Sequence, residues 1–133
     1  MRAKMGMAIV ASVGLSNLAT AQDWSLVTDN DEGTIFLVMD GSVRIVNSYR
    51  RAWVMLDYNK NETAMRSAKM LWEVDCAGER NRVIAYYAYS GQMGAGESVG
   101  SSDQSGEWRY LAPGTSGDTV AKRICNAPVR SEK

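Results

Sequence analysis

The chain has 133 residues, 15 Lys and Arg against 15 Asp and Glu, two cysteines and no histidine. A formal charge of zero is no footprint for general nucleic-acid binding. The missing imidazole excludes a Cys–His protease and leaves a zinc site only two thiols to start from.

Arg2 and Lys4 precede an uncharged, mostly apolar run from Met5 to Leu15, which leads into Ala19-Thr20-Ala21. That order predicts a secretory signal peptide over residues 1–21, cut between Ala21 and Gln22. Its apolar run is shorter than the ~20 residues a bilayer span requires. The mature chain, 22–133, then forms a single domain. Because Arg2 and Lys4 leave with the signal and no acid does, it keeps 13 basic against 15 acidic side chains. It has no second long apolar segment, so the expected product is exported, soluble and without a membrane span.

After Gln22 the pattern is one of β-branched and aromatic runs broken by turn residues. Strands are predicted at Trp24–Val27, Thr34–Met39, Ser42–Val46, Arg51–Tyr58, Met65–Cys76, Arg82–Ser90 and Trp108–Leu111. Asp40-Gly41 between two apolar runs predicts a tight hairpin turn. The order implies a meander of about six antiparallel strands.

In "LWEVDC" the alternation puts Met70, Trp72, Val74 and Cys76 on one face and Lys69, Leu71, Glu73 and Asp75 on the other. Cys76 is thereby expected to point into the core. Glu73 and Asp75 are expected on a wetter face, within reach of Lys69. One stretch, Gly117 to Asn126, has helical spacing: Val120, Ala121, Ile124 and Cys125 point inward, Lys122 and Arg123 away, with Ser116 or Asp118 as cap. Export and an even cysteine count predict a Cys76–Cys125 disulfide that clips this C-terminal helix onto the sheet.

Other motifs carry less. "GQMGAGES", Gly91 to Ser98, has phosphate-loop spacing, but Glu97 stands where the lysine must be and would repel phosphate. It reads instead as part of a flexible loop from Ser90 to Glu107. Without histidine, acid–base chemistry would fall to carboxylates such as Asp57, Glu73 or Asp75, which nothing pairs with a pocket. The sequon Asn61-Glu62-Thr63 reads as a turn. Arg44, Arg50, Arg51, Arg80 and Arg82 would form a basic patch if neighbouring strands brought them together, and scattered surface positions otherwise. No metal ligand set and no cofactor motif is present in this pattern.

The series "AWVMLDY" (Ala52–Tyr58), "SAKMLWEVDC" (Ser67–Cys76), Arg82-Val83, "WRYLAPGT" (Trp108–Thr115) and a closing Cys125 resembles the surface-adhesin protein E family of bacterial exported proteins. The resemblance implies one antiparallel sheet with a C-terminal helix attached through the disulfide. It also implies a non-catalytic binding protein that engages host extracellular-matrix or serum proteins. The signal ends without a cysteine for lipid attachment, so a periplasmic or secreted location is expected. One helix covers part of one sheet face only, and the other face, with Leu71, Lys69 and Glu73, is the expected surface for a protein partner or a homodimer. The rival expectations are a periplasmic inhibitor or accessory protein that uses the 90–107 loop, and a carboxylate hydrolase.

Overall fold

The computed structural model of the protein describes residues 23–58 and 64–129. The expected signal peptide, its Ala21–Gln22 junction and the Asn61 sequon lie outside the described residues. Among the described residues the strands are β1 (Trp24–Asp29), β2 (Ile35–Met39), β3 (Arg44–Val46), β4 (Tyr49–Asp57), β5 (Ser67–Asp75), β6 (Arg80–Tyr89), β7 (Ser98–Ser102) and β8 (Arg109–Tyr110). One helix, α1 (Ser116–Asn126), follows. The strands form one antiparallel sheet in the order β1-β2-β4-β5-β6-β7, with β3 beside β4 and β8 beside β6. An antiparallel meander of six strands is as expected, but its last strand, β7, lies in the segment expected to be a loop, and the expected strands at Ser42–Val46 and Trp108–Leu111 appear as β3 and β8 beside the path.

The turn at Asp40-Gly41 differs from expectation. Asp40–Ser42 is a 3₁₀ turn, and β2 and β3 both pair with β4 instead of with each other. The turn is an outward interruption of one long edge, held where Ser42 Oγ accepts from Trp53 N at 2.9 Å. Burial of Val43 at 3 % exposure rewards that path over a hairpin that would leave it outside. The tight hairpin falls one step later, at Asn47-Ser48, where Asn47 takes φ 58° and Val46 faces Tyr49. Asparagine tolerates that left-handed conformation better than most side chains.

The core lies between the sheet and α1. Phe36, Val38, Ala52, Val54, Trp72 and Val74 meet Val120, Ala121 and Ile124 of the helix. Trp72 is where the alternation placed it, buried on the helix side. Val120 and Ile124 are fully enclosed, each a burial of about 1.5–3 kcal/mol. The helix cap is Thr115, not Ser116 or Asp118: Thr115 Oγ1 accepts from Asp118 N at 3.2 Å, while Ser116 Oγ donates to Asp29 O across the interface. At the other end Arg50 Nη1 donates to Ile124 O at 3.0 Å and Ala127 O at 2.9 Å, satisfying orphan carbonyls with a cation at the negative pole of the helix. Arg123, expected to face away, instead forks onto Asp40 at 3.1 and 2.7 Å, and this hydrogen-bonded guanidinium holds the Asp40 carboxyl below its ordinary range.

Cys76 and Cys125 form the disulfide, with Cα atoms 6.0 Å apart. Cys76 is nevertheless exposed, because β5 ends at Asp75 and the alternation that pointed the side chain inward ends with it. The staple sits at the rim of the sheet–helix interface. The stretch from Ser90 to Glu107 is also more structured than a flexible loop. It contains a 3₁₀ turn at Gln92–Gly94 and the edge strand β7, which pairs with β6 through Ser98, Gly100, Ser101 and Ser102.

Candidate binding face

The face of the sheet away from α1 is where the sequence placed Leu71, Lys69 and Glu73. Residues paired directly across strands share a face, so the registers read it off row by row. One row runs Arg44, Arg51, Glu73, Arg82 across β3, β4, β5 and β6. The next is Trp53, Leu71, Ala85, and the next Leu37, Met55, Lys69, Tyr87. Trp24 joins through Met39 on β2.

In the first row, Glu73 is not on a wet surface. Its carboxylate is 2 % exposed, accepting from Arg51 Nε at 3.0 Å and from Arg82 Nε at 2.9 Å. The strand alternation gave the correct face, but two long guanidinium side chains from neighbouring strands roof it over. Lys69 does not pair with it or with Asp75. Asp75 instead accepts from Arg80 Nε at 2.9 Å and from Gly78 N at 3.0 Å, and the Arg80 bond foremost lowers its pKa. Of the five arginines considered together, Arg51, Arg80 and Arg82 converge here and Arg44 adjoins them, whereas Arg50 serves the helix on the other side.

Trp108 lies over this cluster. Its ring is 4.5 Å from the Arg80 guanidinium carbon and 4.7 Å from that of Arg82, and 4.9 Å from the Tyr49 ring. The segment is fixed by Gly106 N donating to Val83 O and by the Asn81–Arg109 pairing. A groove of about 410 Å³ beside it is lined by Arg82, Val83, Glu107, Trp108 and Arg109. Sequence reasoning did not connect Trp108 or Tyr49 to the arginines, since that requires the register of four strands.

The other half of the face is aromatic. A shallow groove of about 320 Å³ is lined by Trp24, Met39, Trp53, Lys69, Tyr87 and Tyr89. The Trp53 and Tyr87 rings lie 6.2 Å apart, and Tyr87 is 39 % exposed. Lys69 Nζ sits 5.3 Å above the Tyr89 ring. The turn at Gln92–Gly94 closes one end of the face: Met93 N donates to buried Asp57, and Gly94 N to Ser67 Oγ. A Cβ on Gly94 would stand 2.7 Å from Lys69 Cε, so glycine there lets the lysine stem pass, and its φ of 77° suits glycine alike. "GQMGAGES" is thus a clasp over the sheet end and not an anion cradle.

A third concavity, of about 190 Å³ beside the disulfide, is lined by Asp75, Glu79 and Asp118 among others. It resembles an acid–base pair only by count. Asp75 is committed to Arg80, and Asp118 accepts from Gly114 N and Lys122, which lowers its pKa. A general acid needs its pKa raised toward neutrality, the opposite direction. Among the described residues no group of three or more His, Cys, Asp or Glu could hold a metal ion, and no helix is long and apolar enough to cross a membrane.

A family model described as surface-adhesin protein E matches residues 24–126. Two solved structures of Haemophilus influenzae protein E share the fold at 15 % identity, with TM-scores of 0.59 and 0.57. Each alignment covers 77 % of this chain, and 86 % and 83 % of the respective structures. No curated protein sequence matches the chain significantly.

Proposed function

The chain belongs to the surface-adhesin protein E family, and from that premise we propose that it is an exported, non-catalytic binding protein whose open sheet face docks a protein partner. Export rests on the Arg2–Ala21 pattern, with a periplasmic or secreted destination after cleavage at Ala21–Gln22. An adhesin's family name supports a protein surface as the partner, and the reading takes that partner to be a host matrix or serum protein. The observation that carries the reading is composition in place: Trp24, Trp53, Tyr87, Trp108 and the arginines Arg51 and Arg82 share one face that α1 does not cover. Trp, Tyr and Arg are the side chains that most often supply binding hot spots. The alternative docking sites, the two sheet edges, are less suitable, since β1 is irregular at Leu26/Thr28 and β6–β7 at Ala88/Tyr89, the kind of bulge that hinders strand addition.

Leu71 stands between Trp53 and Ala85 at the centre of the face, half-buried. Leu71→Lys should change stability by about 1 kcal/mol or less, because a lysine stem can lie along the sheet while its ammonium reaches water. Capture of a partner from host serum or periplasm, run side by side with wild type, should fall about tenfold or more. A variant that folds and captures like wild type would move the site to Met93 and Val99 of the 90–107 segment, which are 48 % and 46 % exposed and carry the inhibitor-like reading.

A further inference from the structure

The aromatic groove contains one charged group, and its position is set. Lys69 is packed against Gly94, directed over Tyr89, and makes no ion pair with any described carboxylate. Around it stand Trp24, Met39, Trp53 and Tyr87, apolar surfaces that water solvates poorly. Arg44, two rows away across the Trp53–Leu71 row, also has no carboxylate partner among the described residues. Three carboxylates on this face are already engaged: Glu73 by two arginines, Asp75 by Arg80, and Asp57 beneath the Gln92–Gly94 turn. Lys69 is the one charged side chain in the groove's lining, which holds no carboxylate, so a positive charge stands among aromatic rings without an anion beside it.

Resting on the open-face reading, we propose that the groove takes a bulky apolar side chain of a protein partner, and that Lys69 and the arginine row take acidic residues flanking it. The occupant is an acidic peptide segment with an apolar anchor. Charge complementarity selects the acid, since a basic segment would meet Lys69, the one charge in the groove's lining, which has no anion beside it. The apolar lining selects a peptide over a sulfated polysaccharide, whose binding would draw on the cations and leave Met39, Trp24 and Trp53 unused. A volume of about 320 Å³ is at the small end of ligand sites and suits one anchor side chain, not a whole folded ligand.

The test uses the chain from Gln22 to Lys133 and a labelled capped heptapeptide in which one phenylalanine is flanked on both sides by glutamates, followed by fluorescence anisotropy. Its glutamine counterpart and heparin are the comparison probes. The glutamate peptide should bind, with affinity falling about tenfold in Lys69→Gln and falling again as salt is raised. Tyr87→Ala should weaken both peptides, and the glutamine peptide should bind wild type about tenfold less tightly. Equal binding of both peptides, unaffected by Lys69→Gln yet lost in Tyr87→Ala, would overturn the acidic assignment while leaving the face a binding site. Binding of heparin with no binding of either peptide would overturn the peptide assignment in favour of a polysaccharide. No binding of any probe would overturn the groove as an anchor site, and the Leu71→Lys capture result then decides the face independently.

Discussion

Replacing Cys76 or Cys125 by serine should lower the free energy of unfolding by about 4 kcal/mol, the largest loss expected from any single substitution here. The bond closes a loop with a sequence separation of 49, and in the chain-entropy model a loop of that length restricts the unfolded chain by about that amount. Small domains have only about 5–15 kcal/mol in total. Because Cys76 is exposed, the serine variant leaves no cavity, so the effect isolates the cross-link from packing. The helix would still be held by Val120 and Ile124 in the core, by Arg50 at its C-terminus and by the Arg123–Asp40 fork. Amide exchange in α1 should therefore rise before exchange in β4 and β5 does. Urea unfolding of wild type and the Cys76→Ser variant measures the loss, and a difference under about 1 kcal/mol would show that the staple contributes little.

Glu73→Ala should cost about 3 kcal/mol and Glu73→Gln roughly half of that. The carboxylate is enclosed and holds two arginines whose side chains are 27 % and 29 % exposed, so the pair is less dehydrated than a fully buried one and the cost falls at the lower end for such pairs. Removing it also leaves Arg44, Arg51 and Arg82 in one row with no anion between them, and directly opposed like charges are destabilising. Arg44→Gln in the Glu73→Gln background should then recover part of the loss. Thermal or urea unfolding of the two single variants and the double variant reads this coupling. If Arg44→Gln adds to the damage, repulsion in the row is not a cause.

Much of the architecture was legible because it is local. Alternation in Met70–Val74 assigned Trp72 to the core, the spacing of Val120, Ala121 and Ile124 assigned the helix, and cysteine arithmetic assigned the bond between them. What was not legible depends on partners distant in sequence. Asp40-Gly41 has hairpin chemistry, but the backbone there is decided by Val43 entering the core and by Ser42 meeting Trp53. The 90–107 segment has loop composition, yet Asp57 and Ser67, more than twenty residues upstream, fix it through Met93 and Gly94. Alternation held through Asp75 and failed at Cys76, and no sequence signal marks that residue as the first of the turn.

The candidate face was half legible for the same reason. Leu71, Lys69 and Glu73 were assigned to it by period-two alternation along one strand. The row that joins Arg51, Glu73 and Arg82, and the stacking of Trp108 over Arg80 and Arg82, follow from register between strands. Composition alone could not say whether the arginines were scattered or gathered. Lys69 had the correct face and the wrong neighbour: Tyr89 and Gly94 replace the carboxylates two and three rungs away.

The central claim is that the open face, and not the helix side or the sheet edges, meets the partner. Hydroxyl-radical footprinting of the chain alone and bound to the protein it captures tests this most directly, since reactive Met, Trp and Tyr side chains report from both sides of the sheet. Protection of Met39, Trp53, Tyr87 and Trp108, with Tyr86 on the opposite side unchanged, is the predicted result. Protection confined to Tyr86, with Trp53 and Tyr87 as reactive as in the free chain, would contradict it.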